Sequence, residues 1–490
     1  MKKPALRIDK TRRLAALMLS FNLLYIVWLV FHVIGVLGAA FLVLEILVAL
    51  VGVLFAINHW TRKFVLMGGS YSLRSSLDVF IPTVDEPLDI LEQTMGAAAK
   101  IDYPQLNLYV LDDGGRTEVE ELASKYGFTY LRRPKTGSKH YKAGNLNYGL
   151  ANSNSPYVLT IDADNVVEPT IADDLLGHFS DKKVAYVASR QEYLAEVDDF
   201  NHDHLFYSHM QTGKNSNDAA ISCGSGVIYR RSALNDIGGF SEWNLVEDLH
   251  TSYLLQAKGF RSEYVSQPYV TGLAPKDVSG IYKQRGTWAL DTLRILYWDS
   301  PIFKRGLNFR QSLHYFEMAY CYLVAGLFLP AIYIINFYTL YSDHVIQNGE
   351  LWYIIFRLPA LLTTVWFFGY LSRGQLTSRV WTGLFPVYAK AAILALVYRK
   401  SKPRYKVTSK VDVGNREVLL VMPQMIFIGV GITGLFYNFF VFGPSLVLVF
   451  SGFWTLVMAY WLLPITMKAL KVGKYSKELQ TLSPIKAAVA

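Results

Sequence analysis

Six long apolar runs mark the chain, two at its start and four near its end. They fall at about 14–36, 39–58, 315–341, 351–371, 418–440 and 445–467. Each is close to the ~20 residues an α-helix needs to cross a bilayer. Between the second and third runs lie residues 60–314, mixed in polarity and long enough for one large domain with its own core. The pattern therefore predicts two spanning helices (1–59), an inserted soluble domain (60–314), two spans (315–371), a polar linker (372–417), two more spans (418–467) and a tail (468–490).

Inside 60–314 the apolar runs are short. Leu77-Asp78-Val79-Phe80-Ile81 reads as a strand that stops at Pro82, and 88–99 reads as a helix. The next run, 106–111, ends at Asp112-Asp113-Gly114-Gly115, and Tyr157-Val158-Leu159-Thr160-Ile161 ends at Asp162-Ala163-Asp164. Strands alternating with helices predict an α/β fold around a mostly parallel sheet. Such sheets bind ligands beyond the carboxyl ends of their strands, where these acidic clusters fall.

The linker contains one further apolar stretch, 379–398, broken by Thr382, Pro386 and Lys390. It reads as an interfacial amphipathic helix, with a seventh span as the alternative. Glu45 and Arg357 lie within spans. Such charges mark a pathway or a paired contact, and Arg357 has the further option of reaching the outer interface.

Composition agrees with a membrane chain: 52% of residues are apolar and only 18% charged, against roughly 25% charged in soluble domains. That excludes disorder and a small disulfide scaffold, and the two cysteines, Cys223 and Cys321, form no framework. The net charge of +9 divides unevenly. Residues 60–314 carry 26 Lys+Arg against 31 Asp+Glu, and the remainder 22 against 8. The excess of cations therefore flanks the spans, with ten Lys+Arg in 372–417 and none at about 37–38, 342–350 or 441–444. The positive-inside rule places both termini, the domain and the linker in the cytoplasm, in a multi-pass plasma (inner) membrane protein. An acidic domain repels phosphate backbones, so no nucleic-acid partner is expected. A second run follows the first almost at once, which speaks against a cleaved signal peptide.

Several motifs carry candidate chemistry. Asp162 and Asp164 sit two residues apart after a strand, a spacing of oxygen ligands suited to Mg²⁺ or Mn²⁺ on a diphosphate, or to a plain turn. Asp112-Asp113-Gly114-Gly115 is a turn by composition that also suits a ribose or base. Lys142-Ala143-Gly144-Asn145 offers a cation and a close backbone approach to phosphate. Glu247 and Asp248 are paired carboxylates that can split roles, one as general base. Gln284-Arg285-Gly286-Thr287-Trp288 offers a flat indole for a sugar face, or an interfacial anchor.

The order of these motifs, beginning with Ile81-Pro82-Thr83-Val84-Asp85-Glu86, resembles the processive membrane-integrated family 2 glycosyltransferases, which include cellulose, hyaluronan and chitin synthases. Ser222-Cys223-Gly224-Ser225-Gly226 is similar to that family's acceptor-site motif. Tyr405-Lys406-Val407-Thr408-Ser409-Lys410 is similar to the gating loop of cellulose synthases, the group this chain resembles most. The resemblance implies a GT-A-like domain that transfers hexose with inversion from a UDP-sugar, UDP-glucose before others, to a nascent polysaccharide exported across the lipid bilayer. Mg²⁺ or Mn²⁺ is the implied cofactor.

The implied roles attach to particular residues. Asp248, with Glu247 beside it, matches the catalytic base. Thr83, Glu86, Asp112, Asp113, Lys142, Asp162, Gln284, Arg285, Thr408 and Lys410 match nucleotide-sugar contacts. Asp162 and Asp164 match the metal pair, and Cys223, Gly224, Ser225 and Trp288 the acceptor end. Thr287 departs from the family, which has Arg before the Trp to meet the diphosphate. Val84 and Asp85 also replace the common Tyr-Asn. Another polymer (hyaluronan, chitin or capsule type) and a non-processive lipid-linked transferase are the alternative functions. A homo-oligomer or accessory subunits are compatible with the same residues.

Overall fold

The computed structural model describes residues 4–65, 75–134, 141–195, 200–275, 277–374, 377–401 and 417–470. Among them six helices are long and apolar enough to cross a membrane, as in a membrane protein: Lys10–His32, Gly35–His59, Phe309–Ser342, Leu351–Leu371, Met422–Phe442 and Leu446–Ala469. They coincide with the six apolar runs. Lipid-type side chains such as Leu23, Phe31 and Phe440 project from them, exposed. The third span starts at Phe309, ahead of the apolar run, because Asn308 and Gln311 form a capping box. The Asn308 side chain accepts from Gln311 N at 2.9 Å, and the Gln311 side chain accepts from Asn308 N at 3.0 Å.

The inserted domain is built on eight strands: β1 (Leu77–Thr83), β2 (Leu106–Asp112), β3 (Thr129–Leu131), β4 (Tyr157–Thr160), β5 (Asn165–Val167), β6 (Val184–Leu194), β7 (Val227–Arg230) and β8 (Arg261–Leu273). They lie in the order β3-β2-β1-β4-β7-β6-β8-β5. Strands β1 to β4 pair in parallel, as do β6 and β8, while β7 runs antiparallel to both its neighbours and β5 to β8. The sheet is thus mixed and mostly parallel. Every residue of β1 is buried, as a strand covered by helices on both faces requires.

Parallel pairing in register brings the strand ends to one edge. Thr83 pairs with Asp112, and β4 ends at Thr160, two residues before Asp162. The helix Val278–Trp298 then leads the chain toward the membrane. Asp277 starts it, its side chain accepting from Gly280 N at 2.6 Å.

The stretch 379–398 forms two helices, Thr377–Gly383 and Phe385–Val397, parted at Leu384 ahead of Pro386. The second has 13 residues, about 20 Å of helix. Its Tyr388, Ala391, Ala392 and Ala395 pack into one cluster with Ile281, Ala289 and Leu293 of Val278–Trp298. Arg294 Nε donates to Tyr398 O at 2.7 Å, and Trp298 Nε1 to Ala395 O at 2.7 Å. The tail of the helix is therefore tied to the domain. The stretch Tyr405–Lys410, with Thr408 and Lys410, lies outside the described residues.

Candidate active site

The carboxyl edge of the sheet opens into a cavity of about 1650 Å³. Asp113, Lys142, Asp162, Asp164, Asp248 and Trp288 line its domain end. Asn22, Glu45, Arg357 and Trp454, all on apolar helices, line its other end.

Thr83 and Glu86 close one rim. Thr83 Oγ1 donates to Glu86 Oε2 at 2.6 Å, and Val84 N donates to the same oxygen at 2.8 Å. The two adjacent aspartates after β2 separate. Asp113 lines the cavity and holds Arg133 at 2.7 and 3.0 Å. Asp112 is absent from the lining and fully buried. Its carboxylate accepts from Gly114 N (2.9 Å), Arg116 N (2.6 Å) and Tyr130 Oη (3.1 Å). Desolvation, then Asp112, pushes the Tyr130 phenol up to about 12. Asp112 thus shapes the turn, while Asp113 and Arg133 face the cavity.

Lys142 occupies the centre. Its ammonium lies 2.6 Å from Asp162 Oδ1 and 3.0 Å from Glu247 Oε1. Burial alone would lower its pKa, but Asp162, Glu247 and Asp248 hold it well above the usual value. Glu247 and Asp248 begin the helix Glu247–Ala257. Burial pushes the Asp248 carboxyl up to about 7, and Glu247 beside it adds to the rise. A carboxylate at that value is poised to take a proton near neutrality. Activity is therefore expected to fall as the pH drops below about 7, where Asp248 is protonated and cannot act as base. A kcat/KM profile that stays flat from about pH 5.5 to 8.5 would contradict this, since such profiles report the free enzyme's essential groups.

The segment Ser222–Gly226 brings backbone against these carboxylates. Cys223, Gly224 and Gly226 have φ of +60°, +78° and +64°. A Cβ on Gly224 would lie 3.0 Å from both Asp248 Oδ2 and Lys142 Nζ. Cys223 lines the cavity, and Ser225 is buried, its Oγ accepting from Asp162 N at 3.0 Å. Gln191, which the sequence reading missed, pins this loop by donating to Cys223 O (2.8 Å) and Ser225 O (2.9 Å). Gln191 and Tyr193 alternate along β6 and both line the cavity. That two-residue period was the one available clue to them.

Gln284, Arg285 and Trp288 line the cavity from one helix. Arg285 is not free to meet a diphosphate. Its guanidinium is buried, bound to Asp203 at 2.7 and 2.9 Å and set 4.7 Å from the centre of the Trp288 ring. Thr287 turns its hydroxyl back to Lys283 O at 2.9 Å. Lys283 and Arg133, both in the lining, are the additional cations here.

A second polar cluster lies outside the cavity lining. His59, His314 and Glu317 place ligand-type atoms within 4.8 Å of one another, all buried. Glu317 accepts from His59 Nε2 at 3.1 Å and from Asn58 Nδ2 at 2.6 Å. Lys214, also buried, packs against this cluster, and desolvation lowers it to about 8 despite Glu317. The carboxylate is thus shared among partners from two apolar helices and the domain. Glu317→Gln should cost on the order of 3 kcal/mol by leaving those donors unbalanced. A matching fall in the thermal midpoint of the purified protein is the expected result, and an unchanged midpoint the contrary one.

Residues 75–290 match the family described as glycosyltransferase like family 2. The chain is 35% identical over 296 residues to a cellulose synthase catalytic subunit (UDP-forming) of Xanthomonas axonopodis pv. citri, covering 57% of this chain and 40% of that one. It is 27% identical over 444 residues to cellulose synthase 1 catalytic subunit (UDP-forming) of Komagataeibacter xylinus, covering 84% of this chain and 58% of that one. The chain thus spans only about half the length of these curated relatives. Among solved structures, the mannosyltransferase PcManGT from Pyrobaculum calidifontis, in complex with GDP-Man and Mn²⁺, superposes with a TM-score of 0.55 at 17% identity, over 74% of this chain and all of that one. With its mixed sheet and the apolar helices on either side, residues 75–290 are a glycosyltransferase family 2 domain of GT-A-like fold.

Proposed function

We propose that the chain is a membrane-embedded processive synthase. It transfers glucose from UDP-glucose to a growing β-glucan and passes the product through its spanning helices. The observation that carries this reading is the single cavity joining Asp248 and Trp288 to Arg357 and Trp454. A soluble acceptor would need no such continuation into the membrane.

In this mechanism Asp113 and Arg133 meet the nucleoside, and Lys142, Lys283 and Arg133 supply cations for the diphosphate. Asp162 and Asp164 present hard oxygen donors at a strand end, the donor set that Mg²⁺ or Mn²⁺ prefers. A divalent ion held there would neutralise charge on the leaving diphosphate. Trp288 holds the terminal sugar of the chain by its ring face. Asp248 takes the proton from the acceptor hydroxyl as that oxygen attacks the anomeric carbon from the side opposite UDP, which inverts the configuration. The proton ends on Asp248 and UDP departs.

In this reading the domain and both termini lie on the cytoplasmic side, which the cations flanking the spans support. The helix Phe385–Val397 then lies along that face rather than across the bilayer, since it falls short of the ~20 residues a crossing requires. Purified protein given UDP-glucose should release UDP and form a product that glucan hydrolases degrade. Absence of UDP release with glucose, N-acetylglucosamine and glucuronate donors alike would sink the proposal.

A further inference from the structure

The transfer reaction makes no use of His59, His314 and Glu317, which lie outside the cavity lining that holds Asp162 and Asp164. His59 ends the helix Gly35–His59. His314 and Glu317 stand three residues apart on one face of the span Phe309–Ser342. Three ligand-type side chains thus meet where two spanning helices touch. His59 Nε2 lies 3.1 Å from each Glu317 oxygen, and His314 Nδ1 lies 3.9 Å from Glu317 Oε2. Two ligands held tetrahedrally on Zn²⁺, each about 2.1 Å from it, stand about 3.4 Å apart. The separations to Glu317 fall on either side of that value.

The hydrogen bonding of the cluster is incomplete. His314 Nδ1, His59 Nδ1 and Asn58 Oδ1 are buried with no hydrogen-bond partner, and such atoms call for an explanation. His314 Nδ1 is the atom turned toward Glu317, while its Nε2 meets the Asn217 amide at 3.1 Å. An outer partner of that kind fixes the ring of a metal-ligating imidazole. Gly213 makes room for the other ring, since a Cβ there would collide with His59 Nδ1. Lys214 is the cation that packs here, and its ammonium donates to His314 O at 3.3 Å rather than to a ligand atom.

The donor set narrows the ion. Two imidazoles and one carboxylate suit Zn²⁺, whereas Mg²⁺ and Mn²⁺ favour oxygen ligands such as Asp162 and Asp164. We propose that His59, His314 and Glu317 bind one Zn²⁺ ion, its fourth position open to water, as a clamp between the second and third spanning helices. The clamp adjoins the helix Gln211–Asn215 through Gly213 and Lys214. Gln211 on that helix donates to Ile221 O at 2.7 Å and to Cys223 Sγ at 3.2 Å. The ion therefore backs the segment that holds the Cys223 loop, and its binding does not depend on the synthase reading.

The test uses the full chain in lipid nanodiscs, purified without chelator, with Zn²⁺ itself as the probe. Elemental analysis should find about one zinc per chain. Chelation should lower the thermal midpoint by several degrees, and Zn²⁺ but not Mg²⁺ should restore it. Co²⁺ added to the stripped chain should give the visible absorption of a tetrahedral centre. His59→Gln and His314→Gln should each weaken Zn²⁺ binding by more than the ~10-fold that losing an outer partner costs. UDP binding by the same preparations reports a folded domain, and where a variant loses it, the wild-type midpoint and cobalt spectrum decide. Asp164→Asn, at the other candidate metal pair, should keep its zinc, and Lys214→Met, which removes a like charge, should bind Zn²⁺ at least as tightly. Zinc at background with no effect of Zn²⁺ on the midpoint would overturn the site. So would zinc that persists in both histidine variants and is lost from Asp164→Asn.

Discussion

Asp248→Asn should bind UDP as the wild type does and form no polymer, with UDP release lowered by about 10²–10⁴-fold, the range a general base contributes. The substitution keeps the shape of the side chain and removes its basicity. Glu247 cannot take over, because its carboxylate is held by Lys142 at 3.0 Å. Asp162 cannot either, since the same ammonium holds it at 2.6 Å. Burial has pushed the Asp248 carboxyl up to about 7, a value matched to a proton transfer near neutral pH. Polymer made by a well-folded Asp248→Asn chain would remove the residue from the mechanism.

Gly224→Ala should be nearly as damaging, although it adds a single methyl group. Position 224 has φ +78°, a conformation that costs any L side chain about 1–2 kcal/mol. The new Cβ would lie 3.0 Å from both Asp248 Oδ2 and Lys142 Nζ. One of the two must shift, and both belong to the reacting centre. Displacements of about 1 Å can cost on the order of 10²-fold in rate. The expected signature is a loss of kcat of that size with only a small fall in thermal midpoint. Wild-type turnover in Gly224→Ala would show that acceptor and base do not meet at this loop.

Much of this architecture was legible in the sequence. Six spans follow from run length alone, and the strands that lead to Asp112 and Asp162 follow from short apolar runs. Long-range partners were not legible. Nothing in Asp112-Asp113 tells which carboxylate turns inward, because adjacent side chains leave a strand on opposite faces. Arg285 lies two residues before the position where the family has its diphosphate arginine, yet its partner is Asp203, 82 residues away. Glu45 and Arg357 were equally a pathway, a pair or an outward-reaching side chain until the packing of the helices set them 3.4 Å apart. In each case local pattern places the backbone, and tertiary contact decides what the charge does.

The helix Val278–Trp298 grips the linker at two points. Its Arg294 binds the carbonyls of Tyr398 and Ser401, and near its start Ser279 N donates to Glu417 Oε1 at 3.2 Å. The described ends of the linker, Ser401 and Glu417, are thus both fastened to the helix that presents Gln284 and Trp288 to the cavity. Any rotation of that helix that moves the indole must carry both attachment points with it or break these hydrogen bonds.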